Sequence, residues 1–204
     1  MTNMVYYRLR VSYVKRGRLA MLSHLEIARA LERNIRRANL PFAISQGFSP
    51  HMKIAYGSAL PVGIGSDCEH FDIFLSQEMD AQEALGLLQH FSSKDLRPFA
   101  AEYISTSLPS VSVAFPTATY EVVLSEALGD FTIPEEIKVV RKKKEKVLKV
   151  KDFLCEDIAV SDNNLTITLR SSNDGSLRID LLIKEILKSH PKVQISSITR
   201  KRQM

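Results

Sequence analysis

The sequence predicts an α+β protein built from two ferredoxin-like halves, each a split βαβ unit on an antiparallel sheet. Three observations carry this. Residues 1–115 run strand, helix, strands, helix, strand, judged from hydrophobic periods of 2 and 3.6. Residues 116–204 follow the same plan more loosely. Pro109 and Pro116 bracket the boundary, giving units 1–115 and 116–204.

Residues 4–13 read as a strand. Val5, Tyr7, Leu9, Val11 and Tyr13 form an apolar face, and Tyr6, Arg8, Arg10 and Ser12 form the other. After the basic turn 15–18, Ser23 and Glu26 have capping-box spacing for a helix. Its apolar stripe is Ile27, Ala28, Leu31, Ile35 and Ala38, opposite Arg29, Arg33, Arg36 and Arg37. The helix ends near Asn39, because the residue before Pro41 disfavours helical geometry. Glycine-rich loops then separate short apolar runs at 42–44, 53–60 and 69–75, read as strands. Asp80 caps a second helix with Ala84, Leu85, Leu88 and Phe91 inward, and 103–113 returns as a strand.

In the second half, 119–124 is a strand. Two β-branched stretches, 137–140 and 147–150, flank the basic run 141–146 and predict a hairpin with a basic tip. A strand follows at 165–170. Ser176 can cap a helix bearing Ile179, Leu182, Ile183 and Ile186 on one face, and 193–199 closes the sheet.

Of the 204 residues, 45% are hydrophobic and 25% charged, which excludes a disordered chain, a collagen and a disulfide-rich miniprotein. No apolar run approaches the roughly 20 residues that span a bilayer, so no membrane association is expected. The start lacks the apolar stretch of a signal peptide. Cys68 and Cys155 form no CxxC pair, which points to the cytoplasm and to no zinc or iron–sulfur cofactor.

The net charge of +5 hides local imbalance. Residues 1–50 balance at +7, 51–137 at −10, 138–151 at +7 and 152–204 at +1. Clustered Lys and Arg displace counterions from phosphates, so two basic blocks suggest a nucleic-acid surface. The other reading is basic and acidic blocks that face each other or stand in solvent.

Two histidines are candidates for chemistry. His24 projects onto the apolar side of the first helix, in the turn where the helix dipole disfavours imidazolium. His51 closes Ser45-Gln46-Gly47-Phe48-Ser49-Pro50-His51, a loop able to turn N–H groups toward an anion, with Lys53 beyond it and Phe48 able to stack on a base. Both features also suit a buried histidine and a core plug. Cys68, Glu69, His70 and Asp72 have ligand chemistry, but strand alternation splits them between faces; an Asp72 or Glu69 pair with an arginine is the simpler reading. GxGxxG, Walker, GxSxG and HExxH motifs are absent.

Three stretches carry a family resemblance: residues 8–18 with 22–26 and Arg29; residues 36–51; and Leu60-Pro61-Val62-Gly63 with Ser66, Glu69 and Asp72. Together they resemble the radical-SAM-linked family of unknown function, whose members occur fused to, or encoded beside, cobalamin-binding radical SAM proteins. Glu26 stands where that family usually has Asp, and Ser49 where it usually has Asn. The chain lacks a CxxxCxxC triplet, so the resemblance implies an accessory protein for a radical SAM enzyme encoded elsewhere. Family context near ribosomal-protein and ribonuclease genes points to tRNA or ribosomal RNA. Tandem ferredoxin-like domains also resemble CRISPR-repeat RNA-processing proteins.

Three functions are therefore expected, in this order. The first is an accessory module that binds RNA through Arg8, Arg10, Arg18, Arg29, Arg33, Arg36, Arg37, Ser45, Gln46, Gly47, Phe48, Lys53, Arg141, Lys142, Lys143 and Lys144, and presents it to the radical SAM partner. The second is a protein-interaction domain docking that enzyme without nucleic acid. The third is a metal-independent RNA-processing enzyme using His24 and His51 as acid and base.

Overall fold

In the computed structural model, which describes residues 6–141, 144–172 and 175–204, the first alternating stretch becomes strand β1 (Tyr7–Lys15) with Leu9, Val11 and Tyr13 buried. The chain divides into two compact units, Met1–Phe115 and Pro116–Met204.

In the first unit the elements that follow β1 are α1 (His24–Arg37), β2 (Ile54–Tyr56), β3 (Ile64–Leu75), α2 (Ala81–Phe91), β4 (Pro98–Tyr103) and a single turn, α3 (Val111–Ala114). Strand β1 is central and antiparallel to both β3 and β4, and β2 adds to the far edge of β3. The order is β2–β3–β1–β4. Register places Leu9 opposite Ile73 and Tyr103, and Arg10 opposite Asp72 and Glu102. With a period of two, Leu9, Val11, Phe71, Ile73 and Leu75 share a core with Ile27, Leu31 and Ile35 of α1 and Ala84, Leu85 and Leu88 of α2. Burying each large aliphatic side chain contributes about 1.5–3 kcal/mol.

Both helix starts follow the sequence. The Glu26 N–H donates to Ser23 Oγ (3.4 Å), and the Ser23 N–H donates to Glu26 Oε2 (2.8 Å), a complete capping box. Asp80 Oδ1 accepts from the N–H groups of Gln82 and Glu83, each at 2.9 Å. Helix α1 stops at Arg37, and Asn39 turns the chain with φ 51° ahead of Pro41.

Two expectations need correction here. The 42–44 stretch makes single bridges, Phe42 to Leu75 and Ile44 to Met52, and is no strand. The strand expected at 103–113 ends at Tyr103. Beyond it the chain leaves the sheet, because Pro109 has no N–H for a ladder and the carbonyls of Ser105, Leu108 and Pro109 go to an arginine instead.

The second unit comprises β5 (Thr117–Leu124), β6 (Glu136–Arg141), β7 (Lys144–Lys149), β8 (Ala159–Ser161), β9 (Asn164–Ser172), β10 (Gly175–Ser176), α4 (Ile179–Ile186) and β11 (Ile195–Gln203). Strand β5 pairs with β9 and β11, and β8 and β10 pair with β9, all antiparallel. The order β8–β9–β5–β11 repeats the chain order of the first sheet. Where the first unit has α1, this one has the two-stranded hairpin β6–β7, whose Ile137, Val139 and Leu148 are buried. Helix α4 buries Ile179, Leu182, Ile183 and Ile186 and touches β6. Ser176 does not cap it: that residue lies in β10, and Arg178 holds the cap position without a side-chain bond.

The fold is thus mixed α+β, with mostly antiparallel strands and four α-helices among the described residues. No helix among them is long and apolar enough to cross a membrane.

Candidate nucleic-acid interface

Strand alternation puts Arg8 and Arg10 on the face of β1 away from the helices, opposite Asp72 on the neighbouring strand β3. Arg8 donates to Asp72 Oδ2 through Nε (2.9 Å) and Nη2 (2.6 Å), and Arg10 donates through Nε to Oδ1 (2.7 Å) and Nη2 to Oδ2 (3.0 Å). The side chain of Asp72 is 0% exposed and that of Arg8 4%. One carboxylate thus serves two guanidinium groups, and the surplus Arg8 donors reach the carbonyls of Leu108 (2.7 Å) and Pro109 (2.7 Å). The 104–115 segment is strapped over this face, and Phe115 closes it. Arg10 lies 5.2 Å from the Phe115 ring centroid, and His70 stacks on the same ring at 4.3 Å.

This corrects the expectation for Arg8 and leaves Arg10 only partly withdrawn from solvent. The Arg8 guanidinium, 4% exposed, gives its donors to Asp72 and to the strap carbonyls and keeps none for a phosphate, whereas Arg10 uses Nε and Nη2 on Asp72 and is 11% exposed. Asp72 does pair with nearby arginine, the simpler of the two readings for the 68–72 stretch. His70 bonds Ser12 Oγ through Nδ1 (2.9 Å) and stacks on Phe115, so it shares no ligand cluster with Asp72. Among the described residues no three His, Cys, Asp or Glu side chains gather to hold a metal ion.

Five of the other predicted binding arginines of the first unit are exposed. Arg18 stands on a 3-10 turn (Gly17–Met21), and Arg29, Arg33, Arg36 and Arg37 line the outer side of α1. None of these five makes an ion pair among the described residues. Arg29 lies near Glu26, whose pKa is lowered chiefly by the backbone and side-chain bonds of Ser23, with a smaller share from that arginine. Arg36 rests over the Phe42 ring at 5.3 Å. Lys53 is half-buried, its Nζ 3.9 Å from the ring centroid of Tyr6 and 4.8 Å from that of Phe74. Sequence reasoning missed this aromatic clamp; the pair Tyr6 and Phe74 becomes visible only once β1 and β3 are set in register.

The 45–51 loop is a closed ring. The Ser45 N–H donates to the His51 carbonyl (2.8 Å), and the His51 N–H donates to Ser45 Oγ (3.1 Å). His51 Nδ1 lies 3.0 Å from the Ser49 carbonyl and 3.0 Å from Ser45 Oγ. A carbonyl only accepts, so Nδ1 carries a hydrogen. Gly47 adopts φ +140°, a conformation other residues rarely enter, although a Cβ there would meet nothing within 4 Å. The N–H groups of Gln46, Gly47, Phe48 and Ser49 make no hydrogen bond among the described residues. Phe48 is 113% exposed, so the core-plug reading of this residue fails.

The two histidines have different surroundings. His24 is half-buried and meets the ring of Tyr56 edge-on at 5.7 Å. Tyr56 Oη donates toward the Ala28 carbonyl (3.3 Å) and Glu32 Oε1 (3.3 Å), tying β2 to α1. Burial, with the Glu32 carboxylate beside it, pushes the Tyr56 phenol well above its ordinary pKa, so it stays protonated. His51 lies exposed on its loop, and no hydrogen bond or common partner joins it to His24 among the described residues.

Of the second basic block, Lys142 and Lys143 lie outside the described residues, as do the side chains of Arg141 and Lys144. Lys138, beside them on β6, pairs with Glu145 at 3.7 Å.

No curated protein matches this chain. Residues 8–179 match the model of a family described as an uncharacterized protein conserved in bacteria (DUF2344), and the chain belongs to that family.

Proposed function

We propose that this member of the DUF2344 family is an accessory RNA-binding module that presents an RNA substrate to a radical SAM partner encoded elsewhere. The observation that carries the binding half is the row of four exposed arginines on α1, none with an ion-pair partner among the described residues, on the same unit as a stapled loop with free N–H groups. Unpaired guanidinium groups at helical spacing keep their donors for phosphate oxygens, and Arg suits phosphate better than Lys through its planar fork. The radical SAM half rests on the resemblance of residues 8–72. We read each half as ferredoxin-like, a reading supported by the order β2–β3–β1–β4 in the first unit and its counterpart in the second. In the first unit the sheet face that such folds leave open is taken by the 104–115 strap, so contact with RNA falls to the helix and the loop.

Filter binding of tRNA and ribosomal RNA fragments across a salt series tests it. A log–log slope of −3 or steeper is expected for four or more phosphate contacts. No binding at low salt, or a flat response, refutes the reading.

One observation favours the protein-docking alternative. Met21, Leu25 and Val62 are exposed, and the Gly63 N–H donates to the Ala20 carbonyl (2.9 Å), which brings the 61–63 turn beside Met21. Retention of a purified radical SAM partner after nuclease treatment, with no RNA bound by either protein, would favour docking alone.

A further inference from the structure

We infer that the 45–51 loop is a stacking site for an unpaired nucleobase of RNA, with Phe48 as the platform. This rests on the RNA-binding reading above and names the part of the RNA that is bound.

A phenylalanine at 113% exposure forgoes all the stabilisation that burial would give its ring. The loop around it is not slack. Ser45 and His51 staple its two ends through backbone and side chain, and Gly47 supplies the bend just before Phe48. The ring is therefore presented by a closed loop and is neither tucked in nor trailing.

The surroundings specify the occupant. The free N–H groups of Gln46 to Ser49 are donors with no partner among the described residues, suited to phosphate or carbonyl oxygens. Lys53 lies two residues beyond one end of the loop. The ring under Arg36 belongs to Phe42, three residues before the other end, a span of roughly 10 Å at full extension. An aromatic face beside free amide donors, on a loop flanked in sequence by Phe42 under Arg36 and by Lys53, matches a base attached to its phosphates. In a duplex every base face is covered, so an aromatic platform reaches only bases in single strands, loops, bulges and ends. A lipid surface also accepts an aromatic beside cations, but interfacial binding relies on a wide apolar stripe, and here the only other exposed large apolar residue of the segment is Ile44.

The chain contains no tryptophan, so Phe48→Trp installs a single fluorescent reporter at the site. The full chain carrying it is titrated with a single-stranded 12-mer RNA, a hairpin with an unpaired loop, a blunt duplex, and phosphatidylserine vesicles. Quenching by the single strand and the hairpin, and none by the duplex, is expected. Phe48→Ala is expected to weaken single-strand binding between about 5- and 150-fold and leave duplex binding unchanged. Wild-type RNA binding that Phe48→Ala leaves intact overturns the stacking site alone. Absence of RNA binding by the wild type overturns the RNA reading as well. An indole that responds to vesicles and to no RNA assigns the loop to a membrane and likewise overturns the inference.

Discussion

Arg8 Nη2 stands 2.6 Å from Asp72 Oδ2, with both side chains withdrawn from water, although 64 residues separate them in sequence. The same guanidinium ties down Leu108 and Pro109, so one pair fixes both the register of β1 on β3 and the strap that crosses them. Asp72→Asn would leave two arginines against a neutral group. A loss of about 3–5 kcal/mol in urea unfolding is expected, since removal of one member of a buried pair strands the other. A loss below about 1 kcal/mol would show the pair to be solvated in solution.

Removing Arg33 and Arg37 together should not unfold the protein, because both are exposed and without ion-pair partners among the described residues. RNA affinity should fall, and the salt slope for single-stranded RNA should become shallower by about 1.4, two contacts' worth. An unchanged slope would take the α1 face out of the interface.

The capping box makes helix α1 sensitive to acid. The folded pKa of Glu26 is depressed, chiefly by its bonds to Ser23, so its contribution is complete above the unfolded value and is lost as pH falls through the lower folded value. Protection of the first-turn amides of α1, measured relative to their intrinsic exchange rates, should therefore fall from about pH 4.5 downward. In Glu26→Gln this pH dependence should vanish. An identical pH profile in the two proteins would show that the carboxylate does not hold the cap.

Tyr56 binds β2 to α1 through its hydroxyl and carries the His24 ring against its edge. Tyr56→Phe should cost about 0.5–1.5 kcal/mol, the net worth of a hydrogen bond, without altering RNA affinity. Thermal unfolding together with the filter assay checks both halves. A fall in affinity at unchanged stability would instead place His24 and Tyr56 in the interface.

Much of the first unit could be read from single residues. Ser23 and Glu26 announce the start of α1, and Pro41 its end, because caps and prolines act over a few residues. The alternation from Tyr7 to Tyr13 likewise marks β1. What could not be read depends on register. Arg8 and Arg10 look like a basic surface until Asp72 is set opposite Arg10, and strand pairing across some sixty residues leaves no local trace. The stretch 103–113 has strand-like composition, yet its carbonyls have a stronger tertiary partner in Arg8. In the loop, Gly47, Phe48 and His51 were visible as unusual residues. Only the folded chain tells an exposed Phe48 from a buried one.

The strap also has a consequence in time. Arg8 leaves the ribosome before its carbonyl partners at Leu108 and Pro109, which follow 100 and 101 residues later. At a translation speed of about 5–20 residues per second, the guanidinium waits roughly 5–20 s for them. Until then β1 has no complete environment for its charge, so the first unit can finish folding only when its own last segment arrives, and the growing chain has a built-in reason to stay open until that moment.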